Sequence, residues 1–84
     1  MNDVAKILED MRSGASVSFT DLLKVCTHYF GTPRIRGSHH IFKTPWFGDP
    51  RVNIQADGKQ AKSYQIRQVL KALDKKEALD ANPK

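Results

Sequence analysis

Residues 34–43 read RIRGSHHIFK, and here the hydrophobic pattern changes from a helical period to an alternating one. Polar and apolar side chains alternate from Arg34 to Arg36, and the residues from His39 to Thr44 are types that strands favour. A third alternating run, Arg51 to Gln55, follows a segment at 45–50 that is rich in Pro and Gly and indicates a turn or short loop. The pattern therefore predicts three short antiparallel strands.

Helical patterns flank these strands on both sides. Two apolar stripes at helical spacing precede the strands, and a third begins at about Ser63. The stripes consist of Val4, Ile7, Leu8 and Met11; of Phe19, Leu22, Leu23, Cys26 and Phe30; and of Ile66, Val69, Leu70 and Leu73. Ser18 and Asp21 resemble a capping box for the second helix, and the tail 77–84 lacks a sustained apolar pattern, which predicts fraying. The predicted order of elements is ααβββα.

The length of 84 residues predicts one domain, 1–84, with a thin core. The fold class that the elements indicate is α+β, with a three-stranded antiparallel sheet and helices on one face. Because three helical stripes cover only one face well, the other face is expected to be open. This arrangement resembles the double-stranded-RNA-binding fold, an αβββα sandwich, with an added N-terminal helix at 1–14.

The distribution of charge points to an anionic partner. The formal net charge is +5 and the isoelectric point is about 9.6. Residues 34–73 carry eight basic side chains against Asp49 and Asp57, so the whole excess lies in the middle of the chain. A nucleic acid is the partner that such a concentration of cations favours. The side chains expected to contact RNA phosphates are Arg34, Arg36, Lys43, Arg51, Lys59 and Lys62.

Other features of the composition indicate an intracellular protein. A single cysteine, Cys26, forms no internal disulfide, which suits a reducing compartment. The acidic N-terminal residues do not suit a signal peptide, and no apolar run approaches the length of a membrane span. We expect a cytoplasmic protein that does not bind membranes.

His39 and His40 are the candidate catalytic residues. Imidazole accepts and returns protons near neutral pH, and neighbouring cations stabilise a phosphoryl-transfer transition state. Successive strand residues point to opposite faces, so only one of the two histidines faces the open side. Phe42, if it belongs to the core, turns His39 outward, whereas Ile41 in the core turns His40 outward. A strand histidine with no chemical task is the common alternative.

Neither a metal nor another cofactor is expected. The two strand histidines diverge, and Cys26 lies on the apolar stripe of its helix, so they do not form a ligand set with His28. RNA cleavage through the 2′-hydroxyl needs neither a metal nor a protein nucleophile, because the substrate supplies the nucleophile.

The run Gly37-Ser38-His39, which opens a strand, resembles the HicA toxin family, as does the final helix segment SYQIRQVLK. The resemblance covers about residues 18–75. It implies a metal-independent mRNA interferase with a catalytic histidine, on a double-stranded-RNA-binding-like fold, and a HicB-like antitoxin as partner. The family's histidine falls on His39, and an offset of one places it on His40.

Two other functions fit the same residues. One is a module that binds RNA without cleaving it, and the other is a module that binds only an antitoxin-like protein. Trp46 and Phe47, in the predicted turn, are suited to stacking on bases, to contacting the antitoxin or to packing over the thin core.

Overall fold

The computed structural model describes residues 3–44, 52–56 and 58–81. Its elements are α1 (Val4–Ser13), α2 (Phe19–Phe30), β1 (Arg34–Arg36), β2 (His39–Phe42), β3 (Val52–Gln55) and α3 (Ser63–Ala81). The predicted order ααβββα and the α+β class are confirmed. The predicted turn at 45–50, with Trp46 and Phe47, lies outside the described residues, and so does Arg51.

The two N-terminal helices begin and end near the predicted residues. The Ser18 hydroxyl accepts a hydrogen bond from the Asp21 backbone N–H at 3.1 Å, so the predicted cap of α2 is formed. Gly14 ends α1 in the left-handed conformation, at φ 86°, which glycine adopts without a steric penalty. The start of α2 and the end of α1 are thus each capped by a residue type suited to that position.

The third helix is longer than predicted. α3 continues to Ala81, five residues into the segment 77–84 for which the sequence predicts fraying. The reason lies in the local sequence DKKEALDA, which is rich in good helix formers and contains neither Gly nor Pro. The first helix-breaking residue after it is Pro83, which lies outside the described residues.

The three strands form an antiparallel meander in the order β1-β2-β3. Gly37 and Ser38 connect β1 to β2 as a two-residue hairpin loop. Gly37 has φ 60° and Ser38 does not have a positive φ, which is the combination of a type II′ turn with glycine at its first central position. This turn fixes the register, so Arg36 lies opposite His39.

The core lies between one face of the sheet and the helices. Phe42, Val52 and Ile54 point to this covered face and are buried. Leu22, Val25 and Cys26 of α2 and Val69 of α3 are also buried, and α1 packs against both of these helices. Alternation along the strands places a second set of side chains on the opposite, open face: Arg34, Arg36, His39, Ile41, Asn53 and Gln55.

A short bridge ties the segment before α3 to the start of α2. The Phe19 N–H donates to the carbonyl of Lys59 at 3.0 Å, and the Ala61 N–H donates to the carbonyl of Val17 at 3.0 Å. The first turns of α2 and α3 are therefore held together at one end of the molecule.

Among the described residues, none of the helices is both long enough and apolar enough to cross a membrane.

Candidate functional site

The two adjacent histidines point to opposite faces of the sheet. His40 lies on the covered face with Phe42, whereas His39 lies on the open face and is exposed. The orientation that follows from a buried Phe42 is therefore the observed one. Ile41 is half-buried on the open face, so its apolar character did not place it in the core.

A hydrogen bond across the sheet orients the His39 imidazole. Its Nδ1 lies 3.1 Å from the side-chain oxygen Oδ1 of Asn53 on β3. An amide oxygen only accepts hydrogen bonds, so Nδ1 carries the proton and donates it. In the neutral ring, Nε2 is then left with a free lone pair, which is the form that a general base needs.

Two arginines of β1 share the open face with this imidazole. Arg36 lies directly opposite His39 in the register, and Arg34 lies opposite Ile41. Side chains of directly opposed residues are neighbours on one face, with Cβ atoms about 5 Å apart. Both arginines are exposed, and neither forms an ion pair with another described residue. The face thus holds guanidinium groups that are available to an anion.

Acidic groups are missing from this part of the sheet. Residues 34–44 and 52–56, the described strand region, contain no Asp or Glu. Two ion pairs between described residues lie on the helical side, one between Arg12 and Asp74 and the other between Lys24 and Asp3. The open face therefore attracts phosphate without competition from carboxylates in these ranges.

His40 occupies a different environment from His39. Its ring packs edge-on against Phe19 of α2, with 5.2 Å between the ring centroids. Its Nδ1 is buried and has no hydrogen-bond partner among the residues that the structure describes. A group on the covered side of β2 cannot reach a ligand that lies on the open face beside His39.

The remaining predicted cations are dispersed. Lys43 follows β2 four residues after His39, roughly 13 Å along the strand. Lys59 is exposed near the start of α2, to which its carbonyl is bonded. The Lys62 ammonium lies 5.9 Å from the ring centroid of Tyr64, a side chain that is 53% exposed. Arg51 lies outside the described residues.

Three amide side chains near His39 were not among the predicted site residues. Asn53 binds the imidazole, and Gln55 Nε2 donates to the Ser38 hydroxyl at 2.8 Å. Gln65, on the first turn of α3, accepts from the Gln55 backbone N–H at 3.1 Å through Oε1. The alternation of β3 placed Asn53 and Gln55 on one face, but without the register it did not show which β2 residues they meet.

The cysteine is not part of this site. Cys26 is fully buried in α2, and burial raises the pKa of its thiol to about 12. The thiol therefore stays protonated and unreactive at neutral pH. Among the described residues, no three His, Cys, Asp or Glu side chains come close enough together to hold a metal ion.

Comparisons of the chain with protein-family models, with curated proteins and with solved structures find no match. The candidate site is therefore assigned from the geometry of the chain's own residues.

Proposed function

We propose that this chain is a HicA-like toxin, an endoribonuclease that cleaves mRNA without a metal and uses His39 as its general base. The observation that carries the proposal is the exposed His39 imidazole. Its Nδ1 donates to the side-chain oxygen of Asn53, and Arg36 lies directly opposite it on the neighbouring strand β1. The resemblance of the Gly37-Ser38-His39 motif to HicA toxins supports the same activity.

The chemistry follows from the two groups on the open face. His39 Nε2 takes the proton of a ribose 2′-hydroxyl, and the 2′-oxygen attacks the adjacent phosphorus. The bond between phosphorus and the 5′-oxygen breaks, which leaves a 2′,3′-cyclic phosphate on one fragment. The departing 5′-oxygen takes up a proton, supplied by the imidazolium or by water, and becomes a hydroxyl.

The arginines supply charge rather than protons. A guanidinium stays ionised at every relevant pH and binds phosphate oxygens through two parallel N–H groups. Arg36 lies beside the imidazole, so it is placed to stabilise the charge that develops on the attacked phosphate. Arg34, two residues before Arg36 on β1 and on the same face, is placed to hold the neighbouring phosphate of the RNA strand.

The wider identity belongs to the same proposal. The three-stranded sheet with helices on one face is the arrangement expected of a double-stranded-RNA-binding-like fold. A HicB-like antitoxin is the proposed inhibitory partner, and the cytoplasm is the proposed location. The partner follows from the resemblance of the motif, and the location follows from the single cysteine, which suits a reducing compartment.

The test is cleavage of RNA by the purified protein in the presence of EDTA. The wild-type protein is expected to produce fragments that end in a 2′,3′-cyclic phosphate. The same sequence with a 2′-deoxy sugar at the mapped cleavage position should resist. His39→Ala should be inactive on either substrate. Cleavage that requires added metal, or that persists at the 2′-deoxy position, would rule out the mechanism.

A non-catalytic RNA-binding module is the second candidate. One observation favours it: on the open face of the described strands, His39 is the only side chain of a type that titrates near neutral pH, so no second acid–base group stands beside it. This candidate predicts RNA binding that weakens with salt, no product, and an affinity that His39→Ala leaves unchanged.

A further inference from the structure

Among the polar and charged residues whose burial the structure describes, Gln65 is the buried one. It is 4% exposed and lies on the first turn of α3. A buried amide is costly unless it is hydrogen-bonded, so the contacts that it makes are strongly retained. Its Oε1 accepts from the backbone N–H of Gln55, the last residue of β3.

This hydrogen bond also defines the pairing next to His39. Because the Gln55 N–H points to α3, it does not point to β2, and Gln55 lies opposite His39 as a non-hydrogen-bonded pair. In such pairs the Cα atoms are about 4.5 Å apart and the side chains approach most closely. The Gln65 side chain therefore accepts the outward-pointing N–H of Gln55, as the carbonyl of a fourth strand would.

The Gln55 side chain continues the connection to the hairpin turn. Its Nε2 donates to the Ser38 hydroxyl at 2.8 Å, and Ser38 immediately precedes His39. A second contact from the same strand, from Asn53, holds the imidazole itself. Strand β3 thus restrains both the backbone turn before His39 and the ring, and Gln65 fixes β3 to α3.

We infer that Gln65, Gln55 and Ser38 form a relay of positioning residues that holds the Gly37–Ser38 turn and thereby presents His39 to the RNA. The role of the relay in catalysis rests on the proposed function, whereas its effect on the turn does not. None of the three side chains transfers a proton. Their effect on cleavage is therefore expected in kcat rather than in KM.

The first part of the test uses Gln65→Met, which keeps the length of the side chain and removes the acceptor. Hydrogen exchange of the Gln55 amide should become at least about tenfold faster, because opening that amide no longer breaks a buried hydrogen bond. Gln68→Met is the matched control on an exposed position of α3 and should leave this exchange rate unchanged. Gln65→Glu keeps an acceptor oxygen and should restore slower exchange relative to Gln65→Met.

The second part avoids the buried position, where a variant could fail to fold. Ser38→Ala and Gln55→Met each remove the same hydrogen bond at the surface. The double variant should therefore lower kcat, and increase the motion of the turn, no more than the more severe of the two single variants does. In both single variants and in the double variant, NMR relaxation should show larger motions of the backbone amides of residues 37–39. We expect kcat to fall about tenfold with KM unchanged, since small misplacements of a catalytic group are costly.

The outcomes separate the relay from the nuclease activity. A wild-type protein that does not cleave RNA overturns the proposed function, but the exchange and relaxation measurements still decide whether the relay exists. Unchanged Gln55 exchange in Gln65→Met overturns the relay. So do additive effects of Ser38→Ala and Gln55→Met, or unaltered motion of the turn.

Discussion

The covered and open faces of this small sheet treat two identical side chains in opposite ways. His40 packs against Phe19, and its Nδ1 has no hydrogen-bond partner in the described ranges. His39, the preceding residue, is exposed, is hydrogen-bonded to Asn53 and lies opposite Arg36. The pleat of a single strand produces this difference. Chemical capacity in this chain therefore depends on which face a residue occupies and not on residue type alone.

The largest difference between the two faces should appear in the free energy of unfolding when a side chain of each face is truncated. Phe42 is fully buried on the covered face and Ile41 is half-buried on the open face. Phe42→Ala should lower the free energy of unfolding by about 3–5 kcal/mol, because it leaves a cavity in a thin core. Ile41→Ala should cost less than about 1.5 kcal/mol, since solvent already reaches the side chain. Chemical denaturation of both variants measures the contrast, and equal losses would contradict the assignment of faces.

Removal of the partner of His39 should change the tautomer and the rate together. Asn53→Ala frees Nδ1, so the proton redistributes between the two ring nitrogens, and kcat for RNA cleavage should fall about tenfold. Asn53→Asp retains an acceptor oxygen and should keep the Nδ1-protonated ring. Nitrogen-15 NMR of the histidine rings reports the tautomer. An unchanged tautomer in Asn53→Ala would show that the amide does not select it.

The covered histidine should be dispensable for stability. His40→Leu removes a buried ring nitrogen that has no hydrogen-bond partner among the described residues, and an unsatisfied buried polar atom costs roughly 1–3 kcal/mol. We expect the free energy of unfolding to rise by about 1 kcal/mol, after allowance for the lost ring contact with Phe19. His39→Leu, on the exposed side, should change it by less than about 0.5 kcal/mol. A strongly destabilised His40→Leu would indicate a hydrogen bond to Nδ1.

The smallest expected effect is on the electrostatics of RNA binding. Arg36→Ala removes one phosphate contact from the open face, so the slope of log affinity against log salt should decrease by about 0.7–1. Lys24→Ala removes an exposed cation from the helical side, where it is paired with Asp3, and should leave the slope unchanged. Binding titrations at several salt concentrations compare the two, and equal slopes would remove the open face from RNA binding.

The sequence pattern was sufficient for the elements but not for the neighbours within the site. Alternation and helical spacing located all six elements. Ser18 was identified as the cap of α2 because its hydroxyl can accept from the backbone N–H three residues later, which has no partner within the helix. The length of α3 was underestimated, since the apolar stripe ends before helix propensity does.

The face of His39 depended on information that alternation alone does not contain. Ile41 and Phe42 are both apolar, so the strand pattern fits either orientation, and packing of Phe42 against Phe30 and the core decides between them. The contacts of Asn53, Gln55 and Gln65 depend on the β2–β3 register and on the docking of α3. Both arise from tertiary structure, which is why the sequence did not indicate these residues.

The measurement that bears most directly on the proposed role of His39 is the rate of RNA cleavage by His39→Ala divided by the rate by His40→Ala, in EDTA. Loss of a general base costs about 10²–10⁴-fold, and only His39 shares the open face with the arginines. We therefore predict a ratio of about 0.01 or less, with His40→Ala close to the wild-type rate. A ratio near one, or a ratio well above one, would contradict the assignment of His39 as the base.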